Sequence, residues 1–382
     1  MGKSNLIQYL ENNPRLETWN ELAKRFNIRS RKGNICGKKA NDIWRGHLRK
    51  KKSPVNLKVK TAWETPSGEM RYSYKVEEDK ENDLKALKKH IIRNVKSVKS
   101  KKKTKHNHKA LMLYTADKHI GAKVSKDSLY PRKYNEKIFR NRLLQLVETI
   151  NEQVLIYGKF DKLVIMDLGD PLDGFNKKTA RHSPHTLPQN LSNKGQFDTF
   201  VKAHQVLFDT IVENNFANNI EYYAVSDDNH SSDFGYFANR ALEIYLKAKY
   251  PFIKVNIAKR FIEHFSYGVH TFMYSHGKDK EDMRTGMPLL LNANVENYIK
   301  DYIDYYELKG NLHFIKGDLH QSATQKGRYF RYKNVQSMFG SSKWIQTNFG
   351  SGKTLNKYIA GVDYDIVWRD KAVISEQSLM YE

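Results

Sequence analysis

Residues 161–174 read DKLVIMDLGDPLDG. A short apolar run, Leu163–Met166, ends in a cluster of small and acidic residues that includes Asp170 and Asp173. A run of that length predicts a core strand rather than a helix. The same design recurs on either side. ALMLYTADKHIG, at 110–121, ends in Asp117 and His119. EYYAVSDDNH ends in Asn229 and His230, TFMYSHGKD in His276, and LHFIKGDLHQ in Asp318 and His320. Helical stretches are expected between the strands, near Tyr134–Ile156 and Thr199–Glu213. Strand–helix alternation predicts an α/β layered domain from residue 110 to the end.

Each of these endings alone has an ordinary reading. Asp-x-His behind a strand is usually a turn or cap, Gly-Asp is a common turn dipeptide, and Asn-His or His-Gly says little. Five in succession, each behind a hydrophobic strand, point to side chains aimed into a crevice at a sheet edge. The pairs Asp117/His119 and Asp318/His320 are expected to face one side of an extended chain. Oxygen and nitrogen donors without thiolate suit Mn²⁺, Fe or Zn²⁺, and the carboxylates favour harder ions.

In this order DKH, GDPLD, DNH, SHG and GDLH resemble the five signature blocks of the calcineurin-like metallophosphoesterases. NFGSG, at Asn348–Gly352, resembles the Gly-Ser turn that follows the last block. The resemblance covers residues 110–382, and among branches the DNA-repair exonuclease (SbcD-like) group is the most similar. It implies a layered β-sandwich flanked by helices and two divalent ions about 3.5–4 Å apart, with Mn²⁺ favoured over Mg²⁺, Fe and Zn²⁺. It further implies Asp117, His119 and His320 on the first ion and Asp170 bridging both. Asn229 and His276 would hold the second ion, completed by Asp318. His230 would stand beside the leaving group and ease its departure if protonated, with Asp173 behind the ligands. Two departures stand out. The third block, Asp228-Asn229-His230-Ser231, lacks the family's Gly and acidic residue, and Asp318 replaces a His. A carboxylate there either adds negative charge to the second ion or lies outside its shell.

The chain has 382 residues and a formal net charge of +24. Residues 1–109 hold 30 of the 66 Lys plus Arg against 11 of the 42 Asp plus Glu, a net of +19, leaving +5 for the rest. A basic part joined to a near-neutral one suggests a polyanion-binding module beside something else. A solvated basic arm is the plainer alternative. A single Cys36 excludes an internal disulfide framework and a cysteine zinc site. No apolar run approaches the roughly 18–20 residues of a membrane span. The start MGKSNL matches neither a secretory signal nor, with Leu6, a myristoylation pattern. The expectation is a cytoplasmic protein of a bacterium or a phage-infected host cell.

Residues 1–50 read as a basic helix-turn-helix-like unit. Trp19, Leu22, Ala23 and Phe26 are spaced as one helix face behind a Thr18 cap. A second helix in GKKANDIWRGHLRK would present Lys38, Lys39, Arg45 and Arg49 to DNA. A three-helix bundle with another partner is the alternative. Residues 51–109 are expected to hold a hairpin in TAWETPSGEMRYSYKV, a charged helix over Glu78–Lys99, and a flexible lysine linker with Lys101, Lys102 and Lys103. Arg181, His182 and His185, and Lys278 and Arg284 beyond His276, are further candidate phosphate contacts. The alternative for them is a solvated surface. GSGKT, at Gly350–Thr354, is not a phosphate loop, because Thr347 stands where its first Gly belongs.

The reading is a two-metal nuclease whose basic part recruits nucleic acid, DNA favoured. A homodimer or an ATPase partner stays open. The rivals are a phosphomonoesterase for phosphoprotein or nucleotide, and a DNA-binding scaffold whose phosphoesterase domain has decayed.

Overall fold

The computed structural model describes residues 19–28, 38, 40, 57–64, 70–76, 97–100, 107–124, 133–181, 184–283, 285–342 and 359–381. The chain divides into two compact units, Met1–Lys85 and Ala86–Glu382. In the first, α1 (Trp19–Arg25) buries Leu22 and Ala23 and exposes Glu21, Lys24 and Arg25, as the spacing predicts. The expected hairpin is present as antiparallel β1 (Leu57–Glu64) and β2 (Met70–Val76), with a register shift between Val59 and Thr61. Lys38 is helical and exposed. Thr18, Lys39, Arg45, Arg49, the 78–96 part of the charged helix and Lys101–Lys103 lie outside the described residues, as do His182, Arg284 and 343–358, which include NFGSG and GSGKT. Residues 97–99 are not helical, and Val98 N donates to Lys249 O at 2.7 Å within the second unit.

The second unit is four layers deep, helix on sheet on sheet on helix. One sheet runs β13 (Ile374–Met380), β12 (Gly361–Trp368), β3 (Lys109–Thr115), β4 (Phe160–Asp167), β5 (Ala217–Ala224), β6 (Lys254–Ile257). Strands β3 to β6 are parallel, and β12 is antiparallel to both its neighbours. The other runs β10 (Ala323–Lys326), β11 (Arg331–Asn334), β9 (Asn311–Lys316), β8 (His270–Ser275), β7 (Glu263–Tyr267), with β8, β9 and β11 parallel. Alternate residues of β3 face opposite cores. Ala110, Met112 and Tyr114 meet Phe272, Tyr274 and Ile315 of the second sheet between the layers. Leu111 and Leu113 pack under α2 (Glu136–Tyr157), α3 (Asn193–Asn214) and α4 (Asp233–Lys249) with Phe139, Phe200 and Leu242. On the far side Met273, Phe314 and Tyr332 pack on Ile299 and Ile303 of α5 (Ala293–Tyr305). A strand covered on both faces has no polar side, which is why its sequence is a continuous apolar run.

The helix expected near Thr199 starts at Asn193, because the Ser192 hydroxyl caps it by accepting from Gly195 N at 3.2 Å. Asn135 caps α2 in the same way through Ile138 N.

Candidate metal centre

The ligand-type residues meet because the parallel strands stop in register. Thr115 pairs with Asp167 and Asp167 with Ala224, and Ser275 pairs with Lys316 in the facing sheet. Every block therefore emerges at the same rim. The paired residues are not extended there. Asp117, His119, Asp170, Asp318 and His320 have φ of 47°, 42°, 48°, 75° and 55°. The left-handed region costs a non-glycine residue of order 1 kcal/mol or more, least for Asp, Asn and His. Alternation along a strand thus does not aim these side chains; tight turns do. Backbone bonds hold the turns, with Asp117 N donating to Gly169 O (3.1 Å) and His119 N to Asp170 O (3.0 Å). Gly169 has no alternative, since a Cβ there would stand 2.6 Å from His276 Nδ1.

Three overlapping groups could each hold a cation: Asp117, His119 and His320; Asp117, Asp170 and His276; His119, Asp170 and His230. His119 Nε2 lies 3.3 Å from His320 Nε2 and 3.7 Å from Asp170 Oδ2, and His276 Nε2 lies 3.3 Å from Asp170 Oδ2. Asp170 thereby sits between two sets of donors. His276 Nδ1 meets Leu168 O at 2.7 Å and His320 Nδ1 meets Gly340 O at 2.6 Å, so each ring offers Nε2 to the centre. This second hydrogen bond is how proteins orient metal-binding imidazoles. His119 Nδ1 faces Asp173 Oδ1 at 3.4 Å. Asp117 Oδ1, fully buried, makes no hydrogen bond. Its one charged neighbour is His320 Nε2 at 3.5 Å, and a buried carboxylate oxygen without a hydrogen bond is a natural place for a cation. The donor set, carboxylate and imidazole with a carboxamide, fits divalent metal.

The electrostatics agree. Burial pushes the Asp170 carboxyl up to about 8, against the opposing pull of His276 and with the Asp228 and Asp117 charges adding to the rise. Burial also raises Asp173. The opposite balance holds at His276, where burial is outweighed by the Asp170 and Asp117 carboxylates and the ring is driven well above its ordinary value. His119 is held well below by burial and by the charges of His320, His276 and Arg181. His230 is held well below by burial, His119 and Arg181. In this state of the site those neighbours disfavour the protonated ring, which was the condition attached to the expected role of His230. Its backbone N–H donates to Asp170 Oδ1 at 3.0 Å, and Nδ1 lies 3.3 Å from Asp173 O.

Asn229 is buried beside His276, one end of its carboxamide 2.9 Å from Nε2 and the other against the Arg181 guanidinium. The single carboxamide oxygen can serve Arg181 or the cluster, not both. Asp318 stands apart. Its Oδ1 is 4.0 Å from His276 Nε2, it joins none of the three groups, and its Oδ2 would be 2.4 Å from a Cβ at Gly286. Lys278 is half-buried and its ammonium is destabilised by burial and by Arg181. His185 is exposed, and its backbone N donates to Thr179 Oγ1 at 2.9 Å.

Several supporting residues escape a reading by motif. Asp228 takes the place of the missing Gly and fixes the 229–232 turn, accepting from Ser231 N at 2.6 Å and Ser232 N at 2.8 Å. Lys118, between two candidate ligands, is buried with its ammonium 2.6 Å from Asp167. Gln196 Oε1 accepts from Asp173 N (3.1 Å), and Ser337 Oγ donates to Asp117 O (3.0 Å). Only Asp228 and Lys118 had a signal, being polar residues inside the motif blocks.

No protein-family model matches the chain, and no curated protein matches it. Among solved structures, an archaeal phosphodiesterase is similar at 11% identity over 70% of this chain and 99% of its own, with a TM-score of 0.33. Zinc-complexed Vps29 from Entamoeba histolytica is similar at 9% identity, over 71% and 99%, with a TM-score of 0.30. Vacuolar protein sorting 29 from Cryptosporidium parvum shows 9% identity, over 72% and 100%, with a TM-score of 0.29. No helix among the described residues is long and apolar enough to cross a membrane.

Proposed function

We propose that the second unit is a divalent-metal-dependent phosphodiesterase acting on nucleic acid, DNA favoured, with the basic first third recruiting the strand. The observation that carries the reading is the convergence of the buried side chains of Asp117, His119, Asp170, His276 and His320 into overlapping groups that could each hold a cation. Asp117, His119 and His320 would hold one ion and Asp170, His276 and Asn229 the other. Asp318 is left out of the shell and adds its charge from outside. The oxygen-rich set favours Mn²⁺. When bound, two such ions neutralise phosphate charge and lower the pKa of water toward neutrality.

The chain's own residues supply the rest. Asp173 positions His119 through Nδ1. Turning the Asn229 oxygen toward the cluster takes it from Arg181, whose guanidinium is then free to bind two oxygens of the substrate phosphate. His230, wedged edge-on against His119 at 4.4 Å between ring centres, would donate a hydrogen bond to the departing oxygen as its negative charge develops, while the leaving group takes its proton from water. No cysteine or serine nucleophile is required. The +19 charge of residues 1–109 gives the polyanion a landing surface.

The test is cleavage of labelled single- and double-stranded DNA with Mn²⁺, beside an Asp170→Asn, His230→Ala double variant. Cleavage by the unaltered chain alone is expected. Hydrolysis of phosphomonoesters but not of DNA would replace the reading with a phosphatase. Salt-sensitive DNA binding with no hydrolysis of either would replace it with a binding protein.

A further inference from the structure

Phe175 is about half exposed (51%), two residues beyond Asp173, in a unit that buries most of its aromatic rings. Nothing about the ring's position is loose. Phe175 N donates to Lys178 O and Lys178 N to Phe175 O, both at 3.0 Å, closing a two-residue turn. Asn176 and Lys177 occupy it with φ of 51° and 61°, the left-handed pair of a type I′ hairpin. Gly174, at φ 132°, is required beneath it, because a Cβ would stand 2.3 Å from Lys178 O. The tip is pinned by Asn193, which accepts from Asn176 N at 2.9 Å and donates to Asn176 Oδ1 at 2.6 Å, and by Leu187 N on Lys177 O. The chain spends three positive-φ positions on holding an apolar ring in solvent.

The ring has one aromatic neighbour, Phe234, in the first turn of α4, with centroids 5.2 Å apart and planes at 74°. Phe234 follows His230 by four residues, and Ala180 N, from the same loop as Phe175, donates to His230 O at 3.0 Å. The two rings therefore make a fixed shelf joined to both sides of His230. Lys177 and Lys178 are exposed on the same turn. An aromatic face flanked by lysines is what binds single-stranded nucleic acid: the ring stacks a base, the ammonium groups follow the phosphates. A protein-docking patch of this kind would not need lysines on its tip.

We infer that Phe175, backed by Phe234, is a base-stacking subsite for an unpaired nucleobase next to the phosphate being hydrolysed. The inference rests on the phosphodiesterase reading above. It makes the preferred substrate single-stranded or locally unpaired, because a base in a duplex cannot offer its face.

The test uses the full chain with Mn²⁺ and two tetramers of equal charge: tetrathymidylate, and the same backbone without bases. Stacking contributes roughly ten-fold per base. Removing the bases should raise KM about ten-fold for the unaltered chain and for Phe175→Tyr, and hardly at all for Phe175→Ala, with kcat moving less than KM. Equal sensitivity to base removal in unaltered chain and Phe175→Ala overturns the subsite while leaving the phosphodiesterase reading intact. If the unaltered chain cleaves neither tetramer, that reading falls, and a second measurement decides the subsite by itself. Phe175→Trp and the unaltered chain, which has five tryptophans of its own, are titrated in chelator and the difference between their fluorescence is followed. Saturable quenching by tetrathymidylate and not by the abasic tetramer sustains the shelf. No response to either overturns it and leaves Phe175 to a protein partner.

Discussion

Two buried clusters of the second unit are built around aspartates and given different counter-charges. At the antiparallel edge, Asp365 of β12 is fully buried, yet Lys333 lies 2.7 Å from Oδ1, Arg331 3.1 Å from Oδ2, and the Tyr114 hydroxyl donates at 2.8 Å. Burial would raise that carboxyl, but the two cations carry it below its ordinary value. At the rim of the parallel strands, Asp117, Asp170, Asp173 and Asp228 are equally buried, and their nearby partners are imidazoles that crowd one another. There burial drives Asp170 up to about 8 and raises Asp173, while against burial His320 holds Asp117, and a hydrogen bond with Asp170 holds Asp228, below the ordinary value. One cluster sets its carboxylate against fixed lysine and arginine charges; the other sets several carboxylates against imidazoles alone. Carboxylates gathered in a buried rim with only titratable partners mark a candidate cation site.

The contrast breaks or holds on three measurements. The largest effect is expected from Asp365→Asn, which leaves Lys333, at 2% exposure, and Arg331 with half-exposed Glu376 as their remaining carboxylate. Urea unfolding should show a loss of roughly 3–5 kcal/mol. In chelator Asp170→Asn should cost little or even stabilise, because it removes one of several facing carboxylates. Equal losses would erase the distinction between the clusters. Next, Mn²⁺ at about a hundred times its dissociation constant should add about 2.7 kcal/mol to the unfolding free energy of the unaltered chain. Asp170→Asn should gain markedly less. Stabilisation unaltered by that substitution would place the cation elsewhere.

The smallest effect sharpens the comparison with a buried group that belongs to neither cluster, although the Lys118 charge reaches it. His204 of α3 is 1% exposed, its Nδ1 2.8 Å from Phe200 O, and burial takes its pKa down to about 3. The unfolded chain binds this proton near 6.5 and the folded chain does not, so stability is lost as pH falls from about 6.5 toward 3. Relative to His204→Leu, the unaltered chain should lose about 1.4 kcal/mol per pH unit between 6 and 4. A pH-independent difference would show the ring protonated in the fold.

The strands that bear the site were legible because each is a short apolar run with a polar end, and a core strand has few other ways to be written. Strands β10, β11 and β13 were not singled out, since their residues are largely polar, whether half-exposed as in β10 and β13 or buried as in β11, and they owe their form to pairing with neighbours. The candidate ligands were legible by type and order, but not by direction. Asp117/His119 and Asp318/His320 follow left-handed turns rather than an extended path, and nothing in two residues of sequence states a positive φ. Asp318 could be named but not placed: its position outside the ligand groups follows from Gly286 packing against it, a contact across 32 positions of chain.

By itself the sequence determined the local chemistry: which residues can be strands, where metal-type donors sit behind them, and how far the positive charge is confined to the first 109 residues. Those are properties of composition and short spacing, which each segment carries alone. Tertiary structure alone decided which donors lie together, that burial disfavours a charge on His230, that Arg181 and the cluster compete for Asn229, and that Phe175 is held out in solvent. These depend on burial and on approach between residues far apart in the chain. Both arise only once two sheets close on each other and water leaves the rim.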